Sequence, residues 1–120
     1  MPQTNRRHIL GKYGEEVATS YLQNLGYELV ERNFQSRAGE IDIILRDQDS
    51  WVFVEVKTRN SHNHLAGLEA IDEPKLARMR RAMADWLHAR GVTAGKIRLE
   101  VVSVLVQGGA VTFDHVRQVV

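Results

Sequence analysis

The chain contains no cysteine. That removes disulfides, zinc–thiolate sites and cysteine nucleophiles together. It also fits a reducing cytosol, so a cytoplasmic protein is expected. An excess of one charge sign is missing too: 16 Lys and Arg stand against 15 Asp and Glu, a net +1. The field of the whole molecule is therefore weak, and nucleic-acid binding has to come from a local basic patch. No apolar run approaches the ~20 residues of a membrane span. The opening "MPQTNRRHILGKYGEE" offers no apolar stretch of signal-peptide length, and no membrane partner is expected. Internal repeats and low-complexity linkers are absent as well.

What remains is a chain of 120 residues, 43% hydrophobic and 26% charged, enough for one domain with its own core. Residues 1–10, with Arg6, Arg7 and His8, read as a flexible basic arm on that domain. From Gly11 to Leu25 the apolar residues Tyr13, Val17, Ala18, Tyr21, Leu22 and Leu25 recur at helical spacing. Strands are expected at Tyr27–Phe34, "EIDIILR" and "WVFVEVKT", with turns at "SRAG" and "DQDS". A polar loop from Arg59 to Gly67 leads into a second helix. Asp72 or Glu73 caps that helix, Pro74 lies in its first turn and Gly91 follows its end. Leu76, Met79, Met83, Trp86 and Leu87 form its apolar stripe. A Val-rich strand and the Gly108-Gly109 turn into a last strand complete the order α-β-β-β-α-β-β. The helical crossover makes the third and fourth strands parallel. The expected fold is a mixed sheet flanked by helices, an α/β sandwich with an αβββαβ core. Tyr13, Trp51 and Trp86 read as core or semi-core aromatics.

The stretch "GEIDIILRDQDSWVFVEVKTR" departs from this plain pattern. Val52, Val54 and Val56 line one face of its second strand, while Trp51 and Phe53 share the other with Glu55 and Lys57. A strand apolar on both faces is central, and charges inside it need partners or a ligand. Glu40 and Asp42 share a face of the preceding strand. Hairpin pairing brings Asp42 close to Glu55, since facing residues sit ~5 Å apart. A divalent cation relieves the repulsion of two such carboxylates, and Mg²⁺ characteristically binds through one or two of them plus water and phosphate oxygens. Lys57 is then placed to reach a phosphate or the attacking water. These parts suit metal-assisted phosphodiester hydrolysis. A structural ion pair between Asp42 and Lys57 is the competing reading.

Asp42 followed by Glu55-Val56-Lys57 across a hairpin resembles the D…(D/E)-x-K signature of the restriction-endonuclease-like superfamily. "GEIDIILR…VFVEVKTR" with "GKYGEEVATSYLQNLGYELVERNFQ" resembles the YraN family of small bacterial proteins, predicted endonucleases related to archaeal Holliday-junction resolvases. The resemblance covers about Gly11 to Glu100. Where the family often carries "RFDVV" in the late strand, this chain reads "RLEVV", with Glu100 for Asp. The resemblance implies Mg²⁺ or Mn²⁺ held by Asp42, Glu55 and the Val56 carbonyl, with Lys57 positioning water or stabilising charge. In resolvase-like relatives a glutamate on the first helix joins the site. Glu15, at the edge of the apolar stripe, is the choice here over Glu16, and Glu40 is an extra carboxylate. Arg59, Lys75, Arg78 and Arg81 are the expected phosphate contacts. His62 and His64 lack a third ligand within reach and read as a chance pair. The expected activity is a Mg- or Mn-dependent DNA endonuclease, with a homodimer attractive for a junction that needs two cuts. A non-catalytic nucleic-acid-binding module and a protein-interaction domain with a structural ion-pair cluster are the alternatives.

Overall fold

In the computed structural model residues 2–60 and 72–117 are described, with the side chains of residues 2–7 left aside. The elements are α1 (Pro2–Asn24), β1 (Glu28–Gln35), β2 (Glu40–Asp47), β3 (Ser50–Arg59), α2 (Glu73–Ala89), β4 (Lys96–Gln107) and β5 (Ala110–Val116). The strands form one sheet in the order β1-β2-β3-β4-β5. Only β3 and β4 are parallel, and every other neighbouring pair is antiparallel. This is the expected mixed sheet. The loop with His62 and His64 lies outside the described residues.

Alternation along the central strand divides the core in two. Val52 and Val54 pack with Ala18 and Leu22 of α1, Ile43 and Leu45 of β2, and Val102 and Val104 of β4. Phe53 turns the other way and packs with Met79, Ala82, Met83 and Trp86 of α2, and with Ile44 and Leu99. The helices therefore cover opposite faces. At α2 the Asp72 carboxylate accepts from the Lys75 N–H at 2.9 Å, and Pro74 occupies the first turn. Gly91, at φ 68, takes the left-handed position that closes the helix. Gly108 and Gly109, at φ 57 and 79, meet the two-residue hairpin requirement for positive φ at both central positions.

Two expectations change. The basic arm was placed at residues 1–10, and the backbone of residues 2–10 is helix continuous with α1. Tyr13, expected in the core, is 44% exposed. The cause is where α1 meets the sheet. Gly14 lies so close to Thr58 that a Cβ on it would stand 1.8 Å from Thr58 Oγ1. Thr58 is one residue from the end of β3, and α1 runs opposite to that strand. Tyr13, next to that crossing, lies near the end of β3 and is left open to solvent.

A second polar cluster lies inside the sandwich. Glu100 of β4 is fully buried. Arg98 Nε donates to it at 2.9 Å and the Tyr27 hydroxyl at 3.1 Å. His115 Nε2 lies 2.7 Å from it. Arg98 also reaches Asp47 at 2.8 Å, and the Tyr21 hydroxyl lies 3.0 Å from His115 Nδ1. A carboxylate only accepts, so His115 donates through Nε2 to Glu100. The network ties α1, β2, β4 and β5 together at positions where an apolar core would hold them only by contact. Removing Arg98 strands a buried carboxylate. Arg98→Ala is expected to cost about 3–5 kcal/mol in urea unfolding. Tyr27→Phe removes one donor and is expected to cost about 1 kcal/mol. Equal losses from the two variants would refute the hub role of Arg98.

Candidate functional site

The β2–β3 ladder ends where Ile43 faces Val54. The next step in that register sets Asp42 opposite Glu55, as the hairpin reading expected. No backbone pairing continues there. Instead the Val56 N–H donates to Asp42 Oδ2 at 2.8 Å, so a side chain takes over where the strand leaves off. On the other edge, Asn33 of β1 falls between the pairs Arg32–Ile43 and Phe34–Ile41 and stands at φ 57. Asn is among the few residue types that tolerate that region. The chain is twisted at this step. Ile41 packs on the α2 face although Ile43, two residues on, packs on the α1 face. The irregularity turns the Asp42 carboxyl toward β3 instead of leaving it on a regular pleat.

Glu55 is nearly buried, on the α2 face of β3. Two ammonium groups meet its Oε2: Lys57 Nζ at 3.2 Å and Lys75 Nζ at 2.6 Å. Lys57 therefore pairs with Glu55, and this replaces the Asp42–Lys57 pair considered from sequence. Burial and the neighbouring Glu55 push the Asp42 carboxyl up to about 8, against the pull of the Val56 N–H. Two carboxyls this close do not both keep their charge in a partly dry site. Burial, aided by the adjacent Lys75, lowers Lys57, with Glu55 opposing. Burial alone would lower Lys75, but its hydrogen bonds and its attraction to Glu55 outweigh that and raise it.

A cleft of about 210 Å³ opens over these groups, lined by Gly39, Glu40, Asp42, Glu55, Lys75, Arg78 and Met79. The turn carrying Gly39 forms one wall. Ser36 builds that turn: its backbone N–H donates to the Gly39 carbonyl at 2.9 Å and its hydroxyl accepts from the Ala38 N–H at 3.1 Å. Glu15 approaches from α1. Burial raises its carboxyl, and Glu40 and Glu55 add to the rise while Arg32 opposes it. Arg32 Nη2 stands 3.5 Å from Glu15 Oε1. The glycine contact at Gly14 brings α1 close enough for the next residue to reach the site.

Of the expected site residues, Glu40, Asp42, Glu55, Lys75 and Arg78 share the cleft, and Lys57 joins through Glu55. Val56 contributes its N–H. Arg81 is exposed one turn beyond Arg78 and does not line the cleft. Arg59 turns to its own neighbour, donating to the Thr58 carbonyl at 3.2 Å. Sequence reasoning placed Lys75 beside the apolar stripe as a phosphate contact and missed both its contact with Glu55 and the Arg32–Glu15 pair. The helical position of Lys75 in the first turn of α2 was visible. Which strand that turn abuts was not.

The donor set fits a hard divalent cation bound from one side. Among the described residues there is no cluster of three or more His, Cys, Asp or Glu side chains able to enclose a metal ion. Asp42 and Glu55 offer oxygen donors from one side, and a cation there would have to displace the proton on Asp42 and take its remaining ligands from water and phosphate.

A five-stranded mixed sheet between two helices, with its acidic pair at the hairpin step between β2 and β3, is a restriction-endonuclease-like α/β sandwich. The model of the uncharacterised protein family UPF0102, which is the YraN family, matches residues 14–104, and the chain belongs to that family. It is 42% identical over 118 residues to a UPF0102 protein of Kineococcus radiotolerans, covering 97% of each chain. It is 44% identical over 114 residues to a UPF0102 protein of Beutenbergia cavernae, covering 94% of this chain and 97% of that one. A UPF0102 protein of Streptomyces griseus is 43% identical over 117 residues, covering 96% and 98%. No helix among the described residues is long and apolar enough to cross a membrane.

The raised Asp42 carboxyl predicts a pH dependence in metal-free protein. Its value of about 8 in the folded chain lies above the ordinary 3.8. The folded state therefore binds the proton more tightly, and this contribution to stability is complete below the ordinary value. It is lost as pH rises through the folded value. Between pH 5 and pH 8.5 the wild type is expected to lose several degrees of melting temperature relative to Asp42→Asn. Parallel melting curves for the two proteins would show that Asp42 titrates normally.

Proposed function

We infer that this chain is a divalent-metal-dependent nuclease acting on DNA, branched or junction DNA included, in the cytoplasm. The observation that carries the reading is the meeting of Asp42 and Glu55 in a cleft beside Lys57 and Lys75. Asp42 and Glu55 would hold Mg²⁺ or Mn²⁺, with the Val56 carbonyl as a further oxygen donor. The bound cation supplies an activated water and a Lewis acid for the phosphoryl oxygens. Lys57, lowered by burial and by Lys75, gives up its proton more readily than a free lysine. It orients the water and meets the charge that develops on phosphorus-bound oxygen. Glu15 and Glu40 add negative potential at the rim. Arg78 in the cleft, with Arg59 and Arg81 beyond it, would contact backbone phosphates, a sequence-independent grip. A homodimer would place two such sites on one junction.

One observation favours a second reading. Lys57 and Lys75 already neutralise Glu55 without a metal. A purely structural ion-pair cluster, in a binding or interaction domain, would look the same.

Cleavage of a labelled four-way junction and a matched duplex in Mg²⁺ or Mn²⁺ separates the two. Wild type is expected to cut, and Lys57→Ala to cut roughly 10²–10³-fold more slowly, with Glu55→Gln at least as impaired. Gel-shift affinities in Ca²⁺ are expected to stay nearly unchanged. DNA binding without cutting would favour a binding module. Neither binding nor cutting, with a falling melting temperature in both variants, would favour the structural cluster.

The phosphate grip has its own readout. Arg78→Ala and Arg81→Ala are each expected to flatten the log–log salt dependence of DNA binding by about 0.9. An unchanged slope for either residue would remove it from the interface.

A further inference from the structure

Lys75 does more at this site than its position on a basic helix requires. Its Nζ sits 2.6 Å from Glu55 Oε2, closer than Lys57 Nζ at 3.2 Å on the same oxygen. Glu55 is the more deeply buried partner, and the side chain of Lys75 keeps 26% of its surface exposed. The carboxylate is held by the strand, and the lysine is free to leave it for the cleft. Its backbone is fixed, because the Lys75 N–H is the donor to the Asp72 cap. Only the flexible side chain has to move. It would move within a cleft that also contains Arg78 and is wide enough for a phosphate group.

Resting on the nuclease reading, we propose that Lys75 is a positioning residue that blocks Glu55 against a divalent cation until a nucleic-acid phosphate in the cleft draws its ammonium away. Cation and ammonium compete for one carboxylate oxygen. A phosphate offers the displaced ammonium an equivalent partner. Metal uptake and phosphate binding therefore favour each other, and by linkage the coupling is the same in both directions. A metal-free, DNA-free chain keeps its buried carboxylates neutralised, and the hydrolytic site assembles only on substrate.

The test is Mn²⁺ affinity, followed by titration calorimetry and by the loss of the free-ion resonance signal. Wild type, Lys75→Met and Lys75→Gln are compared without DNA. Circular dichroism melting checks that each variant folds, and either variant suffices. Removing a cation in direct contact with the ligand oxygen is expected to tighten Mn²⁺ binding roughly ten-fold or more. Arg78→Met removes the same charge from the cleft without touching Glu55 and is expected to tighten it far less. A short duplex DNA with non-hydrolysable internucleotide linkages is then added to wild type and to Lys75→Met. DNA is expected to raise Mn²⁺ affinity in the first and to have a smaller effect in the second. Equal Mn²⁺ affinity in wild type and both Lys75 variants overturns the inference and leaves the metal-dependent reading standing. Weaker binding in the Lys75 variants also overturns it. No Mn²⁺ uptake by any protein overturns both.

Discussion

The carboxyls of Asp42 and Glu55 are forced together in a partly dry cleft, and most of the local structure answers that constraint. Asp42 is driven to hold a proton near neutrality. Two lysines converge on Glu55 from different elements. The β2–β3 ladder stops one step short, and a backbone N–H of β3 bonds the Asp42 side chain in its place. A hydrophobic pair at these positions would have let the ladder continue, with no need for the twist at Asn33 and Asp42. The fold carries this arrangement at the expense of regular pairing, which is the expected mark of a site and not of a core.

The scaffold isolates that irregularity from the rest of the domain. The two apolar layers are complete without it, one on each face of β3. The second buried charge network, around Glu100, sits on the α1 face and joins β2, β4, β5 and the start of β1. Its donors are matched to its acceptors, and Asp47 and Arg98 at its rim line a separate surface pocket of about 500 Å³. The two clusters differ in kind. Glu100 is fully buried and bonded to Arg98, Tyr27 and His115. Glu55 lines the cleft itself, and its two lysines keep 20% and 26% of their side-chain surface exposed.

Much of the fold was legible because periodicity and turn chemistry agree in this chain. Val52-Phe53-Val54 alternates between two cores, Asp72 and Pro74 begin α2, and Gly108-Gly109 demands a tight hairpin. Tyr13 was misread because helical spacing reports which side of a helix is apolar, not whether a strand lies opposite. At the site, the hairpin and its alternation were enough to bring Asp42 toward Glu55. They could not show which lysine pairs with which carboxylate.

The sequence by itself determined the element order, the parallel β3–β4 crossover and the hairpin that brings Asp42 toward Glu55, because each follows from local periodicity and turn signals along the chain. Tertiary structure alone decided that the first turn of α2 lands on β3 and delivers Lys75 to Glu55. It alone decided that α1 touches β3 at Gly14 and presents Glu15 beside the cleft, and that Arg98 and His115 enclose Glu100. Those contacts join residues far apart in the chain, at distances set by how helices seat on a twisted sheet. No local pattern encodes that seating.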